Sequence, residues 1–135
     1  MEPSIHDNVL VSYEVLCERQ EIWFRTEFRD RQPVERTDVV FRGVEAYHFH
    51  LDNLETLIFD IAETTVEDIL AEHQALFEAG RRYSWPGAWN DSDAAVRAHL
   101  AQRGVHGFTL CSSFGMCGWI LAVSTQRLLR GTHAA

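Results

Sequence analysis

Lysine is absent from this sequence, and all 12 basic residues are arginines, against 20 acidic residues and a formal net charge of −8. Binding to nucleic acid or to an anionic membrane needs clustered cations, because both surfaces carry negative charge. We therefore expect neither as a partner, whereas a basic protein would be attracted by the same charge. The simpler interpretation is that acidity keeps the protein soluble.

Long apolar runs and the motifs of known enzymes are also lacking. No stretch approaches the roughly 20 apolar residues that span a bilayer, and residues 1–7 lack the pattern of a secretory signal. There is no phosphate-binding glycine loop, no dinucleotide fingerprint, and no nucleophile elbow around Ser112 and Ser113. These absences predict a cytoplasmic protein that is not an enzyme and that needs no cofactor.

Only three cysteines are present, Cys17, Cys111 and Cys117. An odd number without zinc-type spacing indicates reduced thiols in a reducing compartment. Cys111 and Cys117 flank a glycine-containing turn, so a disulfide or a thiol pair between them stays open. The preferred interpretation is that both are buried structural thiols. A nucleophilic Cys111 would need a base nearby, and His106 is expected on the opposite face of the same strand.

The hydrophobic pattern changes period along the chain, and this predicts one α+β domain over residues 1–135. Alternation predicts strands at residues 9–16, 22–29, 37–42, 46–51 and 57–62, with Gly43 as a bulge or bend. Two helices follow, one with Thr64 and Glu67 as a capping box and one capped by Asn90 or Asp91. Strands at 105–112 and 119–125 close the chain, before a tail that frays from about Arg127.

Five strands, two helices and two strands thus predict an antiparallel sheet of about six to seven strands, with both helices packed on one face. Phe24, Phe41, Phe49 and Phe59 are expected to lie beneath the helices. The opposite face is polar enough to stand in water, which makes it a candidate binding surface. Its expected members are Glu14, Arg25, Glu27, Arg42, His48, His50 and Asp60, with Trp23 as an aromatic anchor.

His48, His50 and Asp52 form the cluster that most suggests chemistry. Alternate residues of a strand point the same way, so that two imidazoles and a carboxylate could converge on one metal ion. A metal-binding protein or a metal-dependent hydrolase is therefore an alternative. Two histidines on a solvated face need no metal, however, and that is the simpler interpretation.

Aromatic residues crowd the proline-containing loop that separates the two predicted helices. They are Tyr83, Trp85 and Trp89. Exposed aromatic side chains on a loop are typical anchors for recognition. The alternative is that the loop folds back and that its rings cover the edge of the core.

Several short strings resemble a family of small, uncharacterised bacterial proteins. They read IHDN, SYEV, FRGVEAY, IFDI and WPG, at residues 5–8, 12–15, 41–47, 58–61 and 85–87. This resemblance covers most of the chain and implies no activity. In size, charge and architecture the chain also resembles the acidic immunity proteins that inhibit toxins. This second resemblance is an analogy of general protein type and not of sequence. Neither resemblance implies functional residues.

Three hypotheses follow from these observations. The preferred one is a non-enzymatic, acidic protein-binding domain, for example an immunity-type inhibitor of a basic toxin. The second is a metal-binding protein or hydrolase centred on His48 and His50. The third is a homo-oligomeric structural module joined through an exposed sheet edge or through the tryptophan loop.

Overall fold

A computed structural model describes residues 2–30, 32–87 and 92–133 of the chain. The strands are β1 (Val9–Leu16), β2 (Glu21–Phe28), β3 (Val34–His50), β4 (Leu57–Thr64), β5 (His106–Phe114) and β6 (Cys117–His133). The helices are α1 (Val66–Glu72), α2 (Gln74–Gly80) and α3 (Asp93–Gln102), and short 3₁₀ turns occupy Cys17–Arg19 and Arg81–Tyr83. All strand pairs are antiparallel, and the sheet closes into a barrel in the order β1-β2-β3-β6-β5-β4.

The predicted α+β class and antiparallel sheet are confirmed, but the predicted order of elements is wrong. Four strands precede the helices, because the runs at 37–42 and 46–51 are two parts of the single strand β3. Three helices follow in the described ranges, because the first predicted helix breaks at His73 into α1 and α2. The chain therefore reads as four strands, three helices and two strands.

The long strand β3 contains a bulge close to the predicted glycine. Gly43 has a φ of 64°, which the missing Cβ allows, and the pairing with β6 shifts register between Val44 and Ala46. The N–H of Val44 leaves the ladder and donates to the carbonyl of Gln20, at 2.9 Å. A bulge of this kind bends a strand without ending it, which explains why the strand continues to His50.

The core is divided into two clusters, one inside the barrel and one between the barrel and the helices. The inner cluster draws on β2 to β6 and contains Ile5, Ile22, Phe24, Val39, Phe41, Ile58, Ile61, Phe108, Leu110, Met116, Ile120 and Ala122. The outer cluster joins the helices to the outer side of β3 and β6 and contains Ala46, Ile69, Phe77, Leu100, Val105, Trp119 and Leu121. A closed sheet buries apolar side chains on its inner side, while the helices cover part of its outer side.

This division corrects the predicted positions of the four phenylalanines. Phe24 and Phe41 lie inside the barrel, and Phe49 packs against the inner cluster, so none of them lies beneath the helices. Phe59 is 51% exposed. Register shifts on both sides of Ile58 disturb the alternation of β4, so that Ile58 faces the interior in place of Phe59.

The helix caps and the end of the chain also differ from the predictions. Thr65, one residue after the predicted Thr64, caps α1 and accepts a hydrogen bond from the N–H of Asp68. Ser92 caps α3, whereas the predicted caps Asn90 and Asp91 lie outside the described residues. The tail from Arg127 does not fray, because β6 pairs with the first half of β3 up to His133. None of the helices in the described ranges is long and apolar enough to cross a membrane.

The bulge predicts unequal effects of adding a methyl group at two glycines with similar backbone angles. A Cβ at Gly43 would lie 2.6 Å from Cγ2 of Val123, whereas a Cβ at Gly104, where φ is 69°, meets no atom within 4 Å. Gly104→Ala should therefore reduce the free energy of unfolding only through backbone strain, by about 1 kcal/mol. Gly43→Ala should reduce the free energy of unfolding by about 1–3 kcal/mol more than Gly104→Ala does. Urea unfolding measures both variants, and equal losses would contradict the proposed steric role of Gly43.

Candidate functional site

Three predicted binding residues, Trp23, Arg25 and Glu27, lie together on the outer side of β2. The indole of Trp23 is flanked by the guanidinium groups of Arg25 and Arg42, at 4.9 and 5.7 Å from the ring centroid. Its Nε1–H donates to Oε1 of Glu21 at 3.1 Å. Trp23 is therefore half-buried under arginine side chains and does not project freely as an anchor.

The charges on this side of the barrel neutralise one another. Arg25 donates to Asp38 at 2.5 Å and lies 3.4 Å from Glu14. Arg130 approaches the same carboxylate of Asp38 at 3.1 Å. Glu27 in turn accepts from Arg29 at 2.9 Å. Exposed ion pairs contribute little stability individually, but here they leave little unmatched charge for a partner.

The negative charge of the chain arises elsewhere, from one continuous segment. Residues 43–80 contain nine acidic residues and no arginine. The other 97 residues contain 11 acidic residues and 12 arginines, a formal charge of +1. The segment therefore accounts for the whole formal charge of −8. This distribution of charge follows from the sequence alone, although no motif marks it.

The acidic segment forms the second half of β3, β4, α1 and α2. The side chains of Asp60, Glu63, Glu67, Asp68 and Glu72 are exposed along β4 and α1, and we call these five residues the acidic face. Within the described part of the chain, Glu67 is the only one of the five that pairs with an arginine, Arg97. Glu63 lies 3.4 Å from the ring of His106, a group that carries charge only when protonated. The acidic face therefore has few arginine partners, and the exposed Phe59 precedes Asp60 in β4.

A cleft of about 670 Å³ opens between the end of the β1–β2 hairpin and the second half of β3. Its lining is mostly apolar and aromatic: Tyr13, Val15, Leu16, Cys17, Gln20, Glu21, Val44, Glu45, Ala46, Tyr47, His48, Phe49, Asp52, Trp85 and Pro86. The ring of Phe49 lies 5.7 Å from that of Tyr13 and 5.1 Å from that of Tyr47, between ring centroids. This cleft was not predicted.

His48 and His50 were predicted on a solvated face away from the helices, and this placement is wrong. They lie on the outer side of β3, the side on which the helices pack, and His48 is half-buried there. Its ring centroid lies 5.7 Å from that of Trp85, 6.2 Å from that of Trp119 and 6.0 Å from that of His50. Burial lowers the pKa of His48 below its usual value, and the neighbouring His50 and His73 lower it further. His48 is therefore a neutral, half-buried ring at neutral pH.

Asp52, the third member of the predicted metal cluster, has a different partner. It accepts a hydrogen bond from the hydroxyl of Tyr13 at 3.2 Å. Burial raises the pKa of Tyr13, and the charge and hydrogen bond of Asp52 raise it further, so that the hydroxyl stays protonated and donates. In the described ranges, no group of three or more His, Cys, Asp or Glu side chains is arranged to hold a metal ion.

The remaining predicted residues are spread over the molecule. Tyr83 is 78% exposed, while Trp85 packs on Phe77 and Trp119, at centroid distances of 6.0 and 6.2 Å, and covers the edge of the outer cluster. Trp89 lies outside the described residues. Asp60 is exposed as predicted, but on β4 and away from the residues of β2 with which it was grouped.

The three cysteines are free thiols. Cys111 is exposed and Cys117 is half-buried, so the interpretation of both as buried structural thiols is wrong. Cys111 directly follows Leu110 and Cys117 directly precedes Gly118, and these two neighbours form the last pair of the β5–β6 ladder. Cys17 is exposed in the turn between β1 and β2, where it contributes to the wall of the cleft.

The lowered pKa of His48 predicts how stability changes with pH. Because the folded state resists protonation more than the unfolded state does, the unfolded state binds more protons below about pH 6.5. The free energy of unfolding should therefore fall from pH 7 to pH 5, and His48→Gln should make this fall shallower. Urea unfolding at several pH values measures both slopes, and parallel curves for the wild type and the variant would contradict the assignment.

Comparison of the chain with protein-family models, with curated protein sequences and with solved structures finds no match. No relative therefore supplies a ligand, a partner or an activity. The function has to be inferred from the charge distribution and the surface geometry of this chain.

Proposed function

We propose that this chain is a non-enzymatic, acidic protein-binding domain and that its partner is a basic protein. The observation that carries the proposal is the separation of charge. One segment, residues 43–80, contributes the whole negative charge, while the side of the barrel built on β2 balances its arginines with carboxylates. An inhibitor of the immunity type, acting on a basic toxin, is the form of this function that we favour.

Separation of charge supports binding more than it supports solubility alone. Solubility needs only a net charge, and an even distribution would serve it as well. An acidic face with few internal cation partners produces a directional field, which attracts a basic surface and speeds the encounter. The exposed apolar side chain of Phe59, next to Asp60 in β4, offers contact area that charge alone does not provide.

The two alternatives have less support. A metal site would need His48, His50 and Asp52 to converge, whereas Asp52 is held by Tyr13 and the rings of His48 and His50 stack 6.0 Å apart. A homo-oligomer joined through an exposed sheet edge or through the tryptophan loop gives no role to the exposed carboxylates of the acidic face. Neither alternative accounts for the charge separation.

The test is to capture a partner from the source cell at low salt, to purify it and to measure its affinity for defined charge variants. Glu63→Gln combined with Glu72→Gln removes two charges from the acidic face. Glu18→Gln combined with Asp30→Asn removes two exposed charges from other parts of the chain and is the matched control. The first pair should weaken binding by about threefold to tenfold at low salt, and the control by less than about twofold, since it leaves the acidic face intact.

The salt dependence provides a second measurement on the same purified complex. The difference between the two variant pairs should shrink as ionic strength rises, because salt screens exposed charges. Recovery of no basic protein, or equal weakening by the two variant pairs, would contradict the proposal.

A further inference from the structure

The second half of β3 has a free edge. β3 pairs with β6 along its whole length, from Val34 to His50. On its other edge it pairs with β2 only as far as Arg42, which lies opposite Glu21. Beyond the bulge, from Ala46 to His50, this edge has no strand partner within the described part of the chain. An unpaired edge presents backbone N–H and C=O groups on which another strand can pair.

The cleft runs along this free edge. β2 begins at Glu21, directly after the turn that joins it to β1. The space next to β3 that a longer β2 would occupy is open. Its volume of about 670 Å³ falls within the range of about 300–1,000 Å³ that is usual for ligand sites. Besides residues of β3, the cleft is lined by Val15 and Leu16 of β1 and by Trp85 and Pro86 of the loop after α2.

The charge in the cleft is negative. Its lining includes three carboxylates, Glu21, Glu45 and Asp52, and no arginine. Arg42 pairs with Glu21, and Arg103 with Glu45. Asp52 has no cation partner within the described ranges, and its one hydrogen bond there is to Tyr13. The cleft therefore offers one carboxylate that is unmatched and already oriented.

That carboxylate lies at the end of an aromatic group. Tyr13, which donates to Asp52, contacts Phe49, and Phe49 contacts Tyr47; both tyrosines are exposed. An arginine or lysine side chain fits such a setting, since its stem packs on apolar surface and its cationic head is attracted to aromatic faces and to a carboxylate. A carboxylate ligand would be repelled, and an uncharged one would leave Asp52 without a counter-charge.

We infer that the cleft binds an extended basic segment of the partner protein, which adds as a strand to the free edge of β3 at residues 46–50. In this arrangement one arginine or lysine of the segment reaches Asp52 beside the ring of Tyr13. The inference rests on the proposed function and adds the site and the backbone form of the partner. Strand addition supplies affinity through main-chain hydrogen bonds, and side-chain contacts supply selectivity.

The first experiment measures calorimetric binding of a short acetylated peptide of alternating arginine and valine. A second peptide has the same sequence, with N-methyl groups on the amides of one strand edge, so that its charge is retained and its pairing is blocked. The parent peptide should bind, and the methylated peptide should bind at least about tenfold more weakly, because several backbone hydrogen bonds are lost. No binding of the parent peptide, or equal binding of both, would overturn the inference.

The second experiment locates the peptide by a conservative substitution. Asp52→Asn keeps an oxygen that accepts from Tyr13 but removes the charge, and it should weaken binding of the parent peptide by about threefold. Asp30→Asn makes the same chemical change at an exposed position outside the cleft lining and should leave the affinity unchanged. Equal affinities for the two variants would remove Asp52 from the site and overturn the inference.

The thiols provide an internal control within one molecule. Cys17 lines the cleft, whereas Cys111 is an exposed thiol on β5, opposite Asp60. Bound peptide should slow alkylation of Cys17 severalfold and leave alkylation of Cys111 unchanged, as measured by mass spectrometry. A basic partner that binds through the acidic face without protecting Cys17 would overturn this inference and leave the proposed function standing. Absence of any basic partner would remove the proposed function itself.

Discussion

The backbone at Gly43 is the constraint on which the rest of the structure depends. Its positive φ and the bulge that follows allow one strand, β3, to bend and to continue for five residues beyond the bulge, from Ala46 to His50. The contact with Val123 leaves no room for a side chain at this position. Before the bend, β3 is paired on both edges. After it, one edge is paired with β6 and the other faces the cleft.

Two consequences of this bend meet in the second half of β3. On the outer side, Ala46 joins the cluster beneath the helices, and His48 packs against Trp85 and Trp119. On the inner side, Phe49 completes the aromatic group that holds Tyr13 near Asp52. The helices, the tryptophan loop and the barrel mouth are thereby connected through a few residues of one strand. The free edge and the unmatched charge of residues 43–80 lie in the same part of the chain.

The parts of the fold that depend on local pattern were predictable from the sequence. The β1–β2 hairpin follows from the alternation at residues 9–16 and 22–29, and the antiparallel α+β class follows from the short turns. The closure of the barrel was not predictable, because it depends on β1 meeting β4 through Val9 and Leu57, far apart in sequence. The prediction that Phe59 lies inside assumed unbroken alternation along β4. A bulge in β4 shifts that alternation, and no glycine marks it in the sequence.

The candidate site was predicted less well than the fold. His48, His50 and Asp52 were grouped by their spacing, but Asp52 lies past the end of β3 and is bound by Tyr13, 39 residues away. Contacts of that separation leave no periodic signal in a single sequence. The negative charge of residues 43–80, in contrast, is predictable from the sequence, because a count of acidic residues and arginines along the chain is sufficient to find it. The absence of arginine from residues 43–80, and not a motif, marks this segment.

The measurement that tests this account most directly is residue-level amide hydrogen exchange of the free protein, followed by NMR. The account predicts continuous protection over residues 35–41 of β3, where both edges are paired. Over residues 46–50 it predicts alternation, with amides that donate to β6 protected and amides that face the cleft exchanging quickly. Uniform protection across residues 46–50 would show that the edge is already covered, and it would contradict the free edge on which the inferred binding site depends.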